Sequence, residues 1–362
     1  MRTLFQTVRQ TLGRGEDLVL VTIVSSSGST PRGAGAHMLV DRRGWAGGTI
    51  GGGAVENQAI LTAGRVLEDR ACRTEVFRLH QNEIRDLGMV CGGEVTVFFQ
   101  YLSPDDSGAL AVSEQAEVCF AGGTACWLIA DVTAGGLSLY SQGQTAGHAV
   151  PKAVTEHLSS APGFTQAEGH TWYTELLLRP GRVYIFGGGH VAQALVPVLA
   201  GVEFRCVILE DRPEFCRPEL FPGVEETRLL RQEEWDQLSI SPEDYICIMT
   251  RGHKNDTDCQ AFALRTPARY IGVIGSRKKI AAVNAELKRR GFTDDDLARI
   301  TTPIGLPILA ETPAEIAISI AAQLIQVRAL SNRQTAKQQK TGAPRRSCFL
   351  LIPNRWRIPV AR

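Results

Sequence analysis

The feature that most constrains the fold is a glycine-rich turn between a strand pattern and a helix pattern. The apolar run Val183–Phe186 predicts a buried strand, and Gln193–Ala200 predicts a helix. Between them, Gly187-Gly-Gly-His-Val-Ala192 fits the G-x-G-x-x-A pattern of Rossmann-type folds. In that pattern Gly187 permits a tight turn, Gly189 lets a pyrophosphate approach the backbone, and Ala192 allows close helix–strand packing. The alternative is a turn that only packs helix on sheet.

The sequence after this turn alternates between strand and helix patterns, which is typical of a doubly wound parallel sheet. A capping box, Thr312-Pro-Ala-Glu315, predicts the start of a last helix that continues through Arg328. Between the turn and this box, the strand patterns are Phe204–Leu209, Tyr245–Met249 and Tyr270–Ile274, and the helix pattern is Arg277–Arg290.

Several polar residues follow these strands, and ligands of such sheets bind at the carboxyl ends of the strands. The acids Glu210-Asp211 lie 18 and 19 residues after Ala192, and one of them is expected to accept hydrogen bonds from a ribose hydroxyl. His190 could donate to a phosphate or a pterin, or only cap the helix. The loops 250–256 and 275–279 are basic and could grip a phosphate, or could be ordinary solvated turns. From these segments we assign to a cofactor site Gly187, Gly189, His190, Ala192, Asp211, Arg251, His253, Ser276 and Arg277.

The N-terminal half offers a second group of candidate binding residues. The glycine-rich segment Gly47–Gly53 runs into a helical pattern and predicts a backbone nest for anions, which includes Gly52. The loop Gly28-Ser-Thr-Pro-Arg-Gly33 adds Arg32. Cys91 lies among glycines and could bind a metal or handle sulfur as a thiolate, or could be a buried thiol at the start of a strand.

These patterns predict an α/β protein of two domains and a tail. Residues 1–180 form an N-terminal α/β domain, in which 103–180 is rich in β patterns, and residues 181–330 form the Rossmann-type domain. The tail, 331–362, carries eight Lys/Arg and no Asp/Glu, and we expect it to be disordered. The rest of the chain has a net charge of −7, which argues against nucleic acid as a partner.

The cysteines and the apolar runs indicate a cytoplasmic protein. The nine cysteines are odd in number and include no CxxC pair, so neither a disulfide framework nor a structural zinc site is predicted. The N-terminal segment lacks the continuous apolar core of a signal peptide, and no run reaches 18 apolar residues, so we expect neither a signal peptide nor a membrane-spanning helix.

Seven blocks in order over residues 1–330 together resemble the xanthine dehydrogenase accessory family of the XdhC/CoxI type. The blocks are GSTPRGAGAHMLV, GGTIGGGAVE, LGMVCGGEVTVFF, VYIFGGGHVAQAL, MTRGHKND, YIGVIGSRKK and IGLPILAETPAEIAISIAAQ.

The resemblance implies a binding protein rather than an enzyme with turnover of its own. Family members bind molybdenum cofactor, protect it, support its sulfuration and deliver it to apo xanthine dehydrogenase or a related molybdenum hydroxylase. The implied partners are that enzyme and a cysteine desulfurase, and family members are often homodimers. The residues alone also leave open an NAD(P)-dependent oxidoreductase or a nucleotide-sensing module that uses the Rossmann turn.

Overall fold

The computed structural model describes residues 1–78, 93–178, 181–251, 253–275 and 277–341; at 253–255, 277–279 and 331–341 only the backbone is described. The chain divides into two compact units, Met1–Arg179 and Pro180–Arg362. Each unit has hydrophobic clusters of its own.

The first part of unit 1 is a five-stranded antiparallel sheet in the order β3-β2-β1-β5-β4. One face of the sheet packs on the second helix, whose apolar residues Ala59, Ala63 and Val66 are fully buried. The elements are α1 (Arg2–Gly13), β1 (Leu18–Gly28), β2 (His37–Asp41), β3 (Gly44–Gly48), α2 (Gly53–Asp69), β4 (Arg73–Arg78) and β5 (Gly93–Leu102).

The second part of unit 1 is another five-stranded antiparallel sheet, in the order β8-β7-β6-β10-β9. The helix α3 precedes it and was not predicted from the sequence. Asp106 caps this helix by accepting from the Gly108 amide, and Gly123 ends it in the left-handed conformation. The elements are α3 (Ser107–Gly122), β6 (Cys126–Asp131), β7 (Leu137–Ser141), β8 (Gln144–Gly147), α4 (Lys152–Thr155), β9 (Gly163–Ala167) and β10 (His170–Leu178).

A buried polar contact joins the two sheets of unit 1. His37 on β2 lies with its Nε2 2.6 Å from Oε1 of Glu175 on β10, and both side chains are almost completely buried. The other ring nitrogen of His37 is 3.0 Å from the Thr22 hydroxyl, and the Tyr173 hydroxyl donates to Glu175 Oε2. Each end of the buried pair therefore has a further polar partner, as burial of such groups requires.

Unit 2 is a six-stranded parallel sheet in the order β13-β12-β11-β14-β15-β16, which confirms the predicted doubly wound α/β fold. The strand order reverses between β11 and β14. The elements are β11 (Val183–Phe186), α5 (His190–Gly201), β12 (Cys206–Glu210), β13 (Glu226–Leu229), β14 (Tyr245–Ile248), α6 (His253–Arg265), β15 (Tyr270–Val273), α7 (Arg277–Arg289), α8 (Asp294–Ala298), β16 (Ile300–Thr301) and α9 (Pro313–Thr341).

Alternate residues of each central strand face the two helical layers. Val183 and Ile185 of β11 pack in the cluster that includes α5 and α9, whereas Tyr184 and Phe186 pack in the cluster that includes α6 and α7. The strands are apolar on both faces for this reason, and they read as continuous apolar runs in the sequence.

The last helix begins at the predicted capping box but extends beyond its predicted end. The Glu315 carboxylate accepts from the Thr312 amide, and Thr312 Oγ1 accepts from the Glu315 amide. The helix continues past Arg328 to Thr341, because residues 329–341 contain neither glycine nor proline, and both follow soon after. Among the described residues, no helix is both long and apolar enough to cross a lipid bilayer.

Candidate functional site

The glycine-rich turn follows β11 as predicted, and its first glycine is fixed by packing. Gly187 has a φ of +108°, and a Cβ there would lie 2.6 Å from the Met249 carbonyl oxygen. The Gly187 amide donates to the Leu209 carbonyl. Gly187 therefore allows the ends of three adjacent strands to approach one another closely.

The third glycine of the turn faces open space. Gly189 caps α5 with a φ of −69°, and a Cβ there would meet no atom within 4 Å. His190 is the first residue of the helix and is exposed, whereas Ala192 is fully buried against the sheet. The start of α5 thus has open space at Gly189, where the motif predicts that a pyrophosphate approaches the backbone.

Glu210 holds the turn in place, a role that the sequence did not predict for it. Its carboxylate is buried at the end of β12 and accepts from the Gly188 amide at 2.6 Å. The same carboxylate accepts from the Asp211 and Arg212 amides and forms a two-point pair with the Arg212 guanidinium. Burial acts to raise its pKa, but the hydrogen bonds from Arg212, Asp211 and Gly188 and the charge of Arg212 prevail and lower the pKa to about 2.

Asp211, the acid assigned to the site from the sequence, has a different environment. Its side chain is 55% exposed, and its closest described cation is Arg212, at 3.8 Å. The neighbouring Glu210 carboxylate raises the pKa of Asp211. Asp211 is therefore the more exposed acid of the pair, and its carboxyl group shares a hydrogen bond with that of Glu210.

A cavity of about 350 Å³ opens at the carboxyl ends of β11, β12 and β14. This is where ligands bind in open parallel sheets. It contains two residues of the predicted site besides Gly187, namely Asp211 and Arg251. Its lining residues are Phe186, Gly187, Leu209, Glu210, Asp211, Arg212, Leu230, Arg231, Gln232, Glu233, Trp235, Thr250, Arg251 and Cys259.

The cavity has an apolar part and a charged rim. Trp235 is one apolar wall, and its ring lies 5.4 Å from that of Phe186, edge to face. Leu230 also lines the cavity, and the guanidinium groups of Arg231 and Arg251 add to that of Arg212, which pairs with Glu210. Burial raises the pKa of the Cys259 thiol well above its usual range, so this cysteine is protonated at neutral pH. The lining therefore combines an apolar wall with three arginines and three acids, Glu210, Asp211 and Glu233.

The first basic loop reaches the cavity only in part. Thr250 lines it, but the Thr250 hydroxyl donates to the fully buried Asp256 carboxylate. His253 begins α6, and its side chain lies outside the described residues.

The second basic loop begins at Gly275, which lines a separate small cavity of about 10 Å³ with Gln260 and Thr302. Ser276 lies outside the described residues, as does the side chain of Arg277, whose backbone begins α7.

The two glycine-rich loops of unit 1 do lie together, but the predicted anion nest is filled by the chain itself. A Cβ on Gly51 would lie 2.9 Å from Pro31 and 3.4 Å from Cγ of Arg32. The Glu56 carboxylate accepts from the Gly52 amide, the Ile50 amide and the Thr49 hydroxyl. Burial acts to raise the pKa of Glu56, but these hydrogen bonds prevail and lower it. The Gly52 amide is therefore engaged by Glu56 in this structure.

Cys91, the predicted metal or sulfur residue, lies in 79–92, outside the described residues. The strand that follows begins at Gly93, where a Cβ would lie 2.6 Å from the carbonyl oxygens of Ser27 and Ser29. Within the described ranges, no three or more His, Cys, Asp and Glu side chains form a group that could hold a metal ion.

Comparison with known protein families gives two matches. Residues 183–324 match the XdhC Rossmann domain, and residues 11–78 match the XdhC and CoxI family. The first match covers the parallel sheet with its glycine turn and cavity, and the second covers most of the first sheet of unit 1.

Individual proteins resemble the chain over most of its length. An uncharacterized Escherichia coli protein, YqeB, is 27% identical over 313 residues, which cover 85% of this chain and 43% of that protein. A Bacillus subtilis protein named as a probable subunit of xanthine dehydrogenase is 24% identical over 323 residues, 86% of this chain and 94% of that protein. The chain thus spans less than half of the Escherichia coli protein.

A solved structure from Bacillus halodurans, described as a xanthine dehydrogenase, superposes with a TM-score of 0.75 at 25% identity. The superposition covers 93% of this chain and 98% of that one.

Proposed function

The chain belongs to the XdhC and CoxI family, and from this premise we propose that it serves the maturation of a xanthine dehydrogenase or related molybdenum hydroxylase. In this proposal the protein binds molybdenum cofactor, protects it, supports its sulfuration and delivers it to the apoenzyme. The name of the Bacillus subtilis relative supports the choice of target enzyme. When bound, the cofactor supplies the molybdenum centre that the target enzyme needs for hydroxylation.

The proposal is carried by the open space at Gly189, at the start of α5, together with a cavity that begins at Gly187 in the same turn and is lined by three arginines, Arg212, Arg231 and Arg251. Molybdenum cofactor is an anionic pterin with a phosphate group. The amides at the start of α5 and the Arg251 guanidinium suit the phosphate, and the apolar wall at Leu230 and Trp235 suits the ring. A volume of about 350 Å³ accommodates a ligand of this size.

The chain's own residues hold and shield such a ligand. Glu210 fixes the glycine turn through the Gly188 amide, so the amides of α5 are oriented before the ligand arrives. Trp235 and Leu230 exclude water from one side of the cavity. Tight holding followed by transfer needs no chemical step by the protein itself.

Transfer to the target enzyme tests the proposal. Protein isolated with molybdenum cofactor should restore activity to apo xanthine dehydrogenase and should retain the cofactor on gel filtration. Gly189→Val should fold normally and lose the cofactor, because its side chain would occupy the approach to the amides. Equal activation by free cofactor, with no complex on gel filtration, would argue against the proposal.

Two further partners belong to the same proposal. Sulfuration requires a sulfur donor, for which we propose a cysteine desulfurase, and we propose that the chain forms a homodimer. Native mass spectrometry of protein purified from cells that make molybdenum cofactor measures both the bound cofactor and the number of subunits. Mixing with a cysteine desulfurase should add a complex of defined mass, and its absence at micromolar concentrations would contradict the partnership.

A further inference from the structure

A group of exposed apolar residues lies on α9 and on the loop before it. Of the ten large apolar side chains that are exposed among the described residues, four lie within residues 308–325. Exposed apolar residues scattered singly over a surface are ordinary, but a group of them marks an interaction site. The four are Ile308, Leu309, Ile318 and Ile325.

The loop before α9 is held on the helix although its apolar side chains are not buried. The Leu306 amide donates to the Ser319 carbonyl, and the Ser319 hydroxyl donates to the Leu306 carbonyl. Leu309 is 93% exposed and has a φ of +61°, a backbone conformation that is strained for a leucine. The hydrogen bonds therefore fix a loop that presents Ile308 and Leu309 to solvent.

The exposed residues of α9 form one stripe. They recur at intervals of four, three and four residues, which places them on one face of the helix. Ile318 in this stripe is 54% exposed, whereas Val327, on the opposite face, is buried in the core of unit 2. The stripe, in which large and small residues alternate, is Ile318, Ala322, Ile325 and Ala329. With Ile308 and Leu309 it forms what we call the α9 patch.

The charges near the patch differ between the two ends of the helix. Residues 316–327 contain no charged residue. Glu311 and Glu315 precede this stretch, and residues 333–340 contain three basic residues and no acid. An acidic end, an apolar middle and a basic end make a surface that is complementary to itself when a second copy runs in the opposite direction.

We propose that the α9 patch is the interface of a homodimer, in which α9 of one protomer packs antiparallel on α9 of its partner. The inference rests on the proposed function only in that the chain forms a homodimer, and it names the surface that does so. Ile318 of one protomer lies against Ala329 of the other, and Ile325 lies against Ala322. Each large side chain thus meets a small one, which lets the two helices approach closely.

The direction of the pair follows from the charges. In the antiparallel pair, the acidic start of each helix lies beside the basic residues 333–340 of the other. A parallel pair would place like charges together at both ends, which is destabilising.

Analytical ultracentrifugation of the full chain and of Ile318→Glu tests the interface. The unaltered chain should be a dimer at micromolar concentrations. Ile318→Glu should raise its dissociation constant at least about tenfold, because each dimer would bury two carboxylates in an apolar contact. Leu61→Glu is the matched control: it makes the same kind of change at an exposed helical residue of unit 1 and should leave the dimer unchanged. Circular dichroism checks that both variants fold.

Cysteine cross-linking tests the antiparallel direction without depending on a loss of binding. When the Ile318→Cys and Ala329→Cys proteins are mixed and oxidised, a disulfide should join the two different chains beyond the background that the unaltered chain gives. Neither variant alone should exceed this background. In the antiparallel pair the two copies of residue 318 lie about 16 Å apart along the helices, too far for a disulfide. Cross-linking of each variant with itself would show a parallel pair and contradict the inference.

Three further outcomes would overturn the inference. A chain that remains a monomer throughout the micromolar range contradicts it, and so does a dimer that folded Ile318→Glu leaves intact. A monomer whose complex with apo xanthine dehydrogenase is lost in Ile318→Glu assigns the patch to the target enzyme instead.

The same measurements separate this inference from the maturation role. A dimer that forms through another surface and still delivers molybdenum cofactor contradicts only the α9 interface. A dimer that assembles through the α9 patch but never activates apo xanthine dehydrogenase contradicts only the maturation role.

Discussion

The glycines at 187 and 189 look alike in the sequence and have different reasons to be glycine. Gly187→Ala forces a side chain into a left-handed backbone region and against the Met249 carbonyl, so we expect a loss of about 2 kcal/mol or more in the free energy of unfolding. Gly189→Ala meets no atom, so we expect a change below about 1 kcal/mol. Urea denaturation compares the two, and equal losses would contradict this account of the turn.

Acid should weaken unit 2 through Glu210. Its pKa is about 2 in the folded chain against an ordinary value of 4.5, so it stabilises the fold above pH 4.5 and this stability is lost as pH falls towards 2. We expect the contribution to be on the order of 2 kcal/mol. Glu210→Gln should be less stable at pH 7 and should lose less stability between pH 5 and pH 3 than the unaltered protein. An unchanged acid transition would contradict the role of this carboxylate.

At the residue scale, the sequence predicted where the residues of the motif lie, but it did not predict the hydrogen-bond partners of their side chains. The spacing from the glycine turn placed both Glu210 and Asp211 at the end of the second strand, where the structure has them. Spacing alone could not show that the Glu210 carboxylate is hydrogen-bonded to the Gly188 amide and the Arg212 guanidinium, because that depends on which side chain is buried. For the same reason, the sequence predicted an anion site at Gly52 but not that the chain's own Glu56 carboxylate occupies it. Glu56 lies one helical turn after Gly52, and its carboxylate accepts from the Gly52 amide.

The start of α9 is a local element whose stability can be tested. Thr312→Ala removes the hydroxyl that accepts from the Glu315 amide, and we expect the free energy of unfolding to fall by about 1 kcal/mol. Thr312→Ser keeps the hydroxyl and should lose less than half as much. Chemical denaturation measures both variants, and an equal loss for serine and alanine would show that the cap does not act through this hydrogen bond.

The two sheets of unit 1 should depend on the buried contact between His37 and Glu175. Glu175→Leu leaves the His37 ring and the Tyr173 hydroxyl without this partner, so we expect a loss of about 3 kcal/mol. Glu175→Gln keeps an acceptor oxygen and nearly the same shape, and should lose clearly less. Thermal unfolding followed by circular dichroism compares them. If leucine is tolerated as well as glutamine, the contact is not what joins the sheets.

At the element scale, apolar strands were easier to predict than the elements at the edges. The four central strands of unit 2 are buried on both faces and appear as apolar runs. The edge strand Glu226–Leu229 is mostly polar and short, so no hydrophobic pattern marks it. The helix Ser107–Gly122 was missed although Asp106 and Gly123 mark both of its ends, because its apolar residues are not confined to one face.

For the molecule as a whole, the organisation in two units makes one last prediction. Every described residue that lines the large cavity lies between Phe186 and Cys259, and both hydrophobic clusters of unit 2 lie within residues 183–327. Because the unit has its own core and its own cavity, we expect residues 180–341 expressed alone to fold and to bind molybdenum cofactor within about threefold of the full chain. Circular dichroism checks the fold first, and calorimetry then measures the affinity. A folded fragment that binds at least tenfold more weakly than the full chain would mean that residues outside unit 2 contribute to the cofactor site.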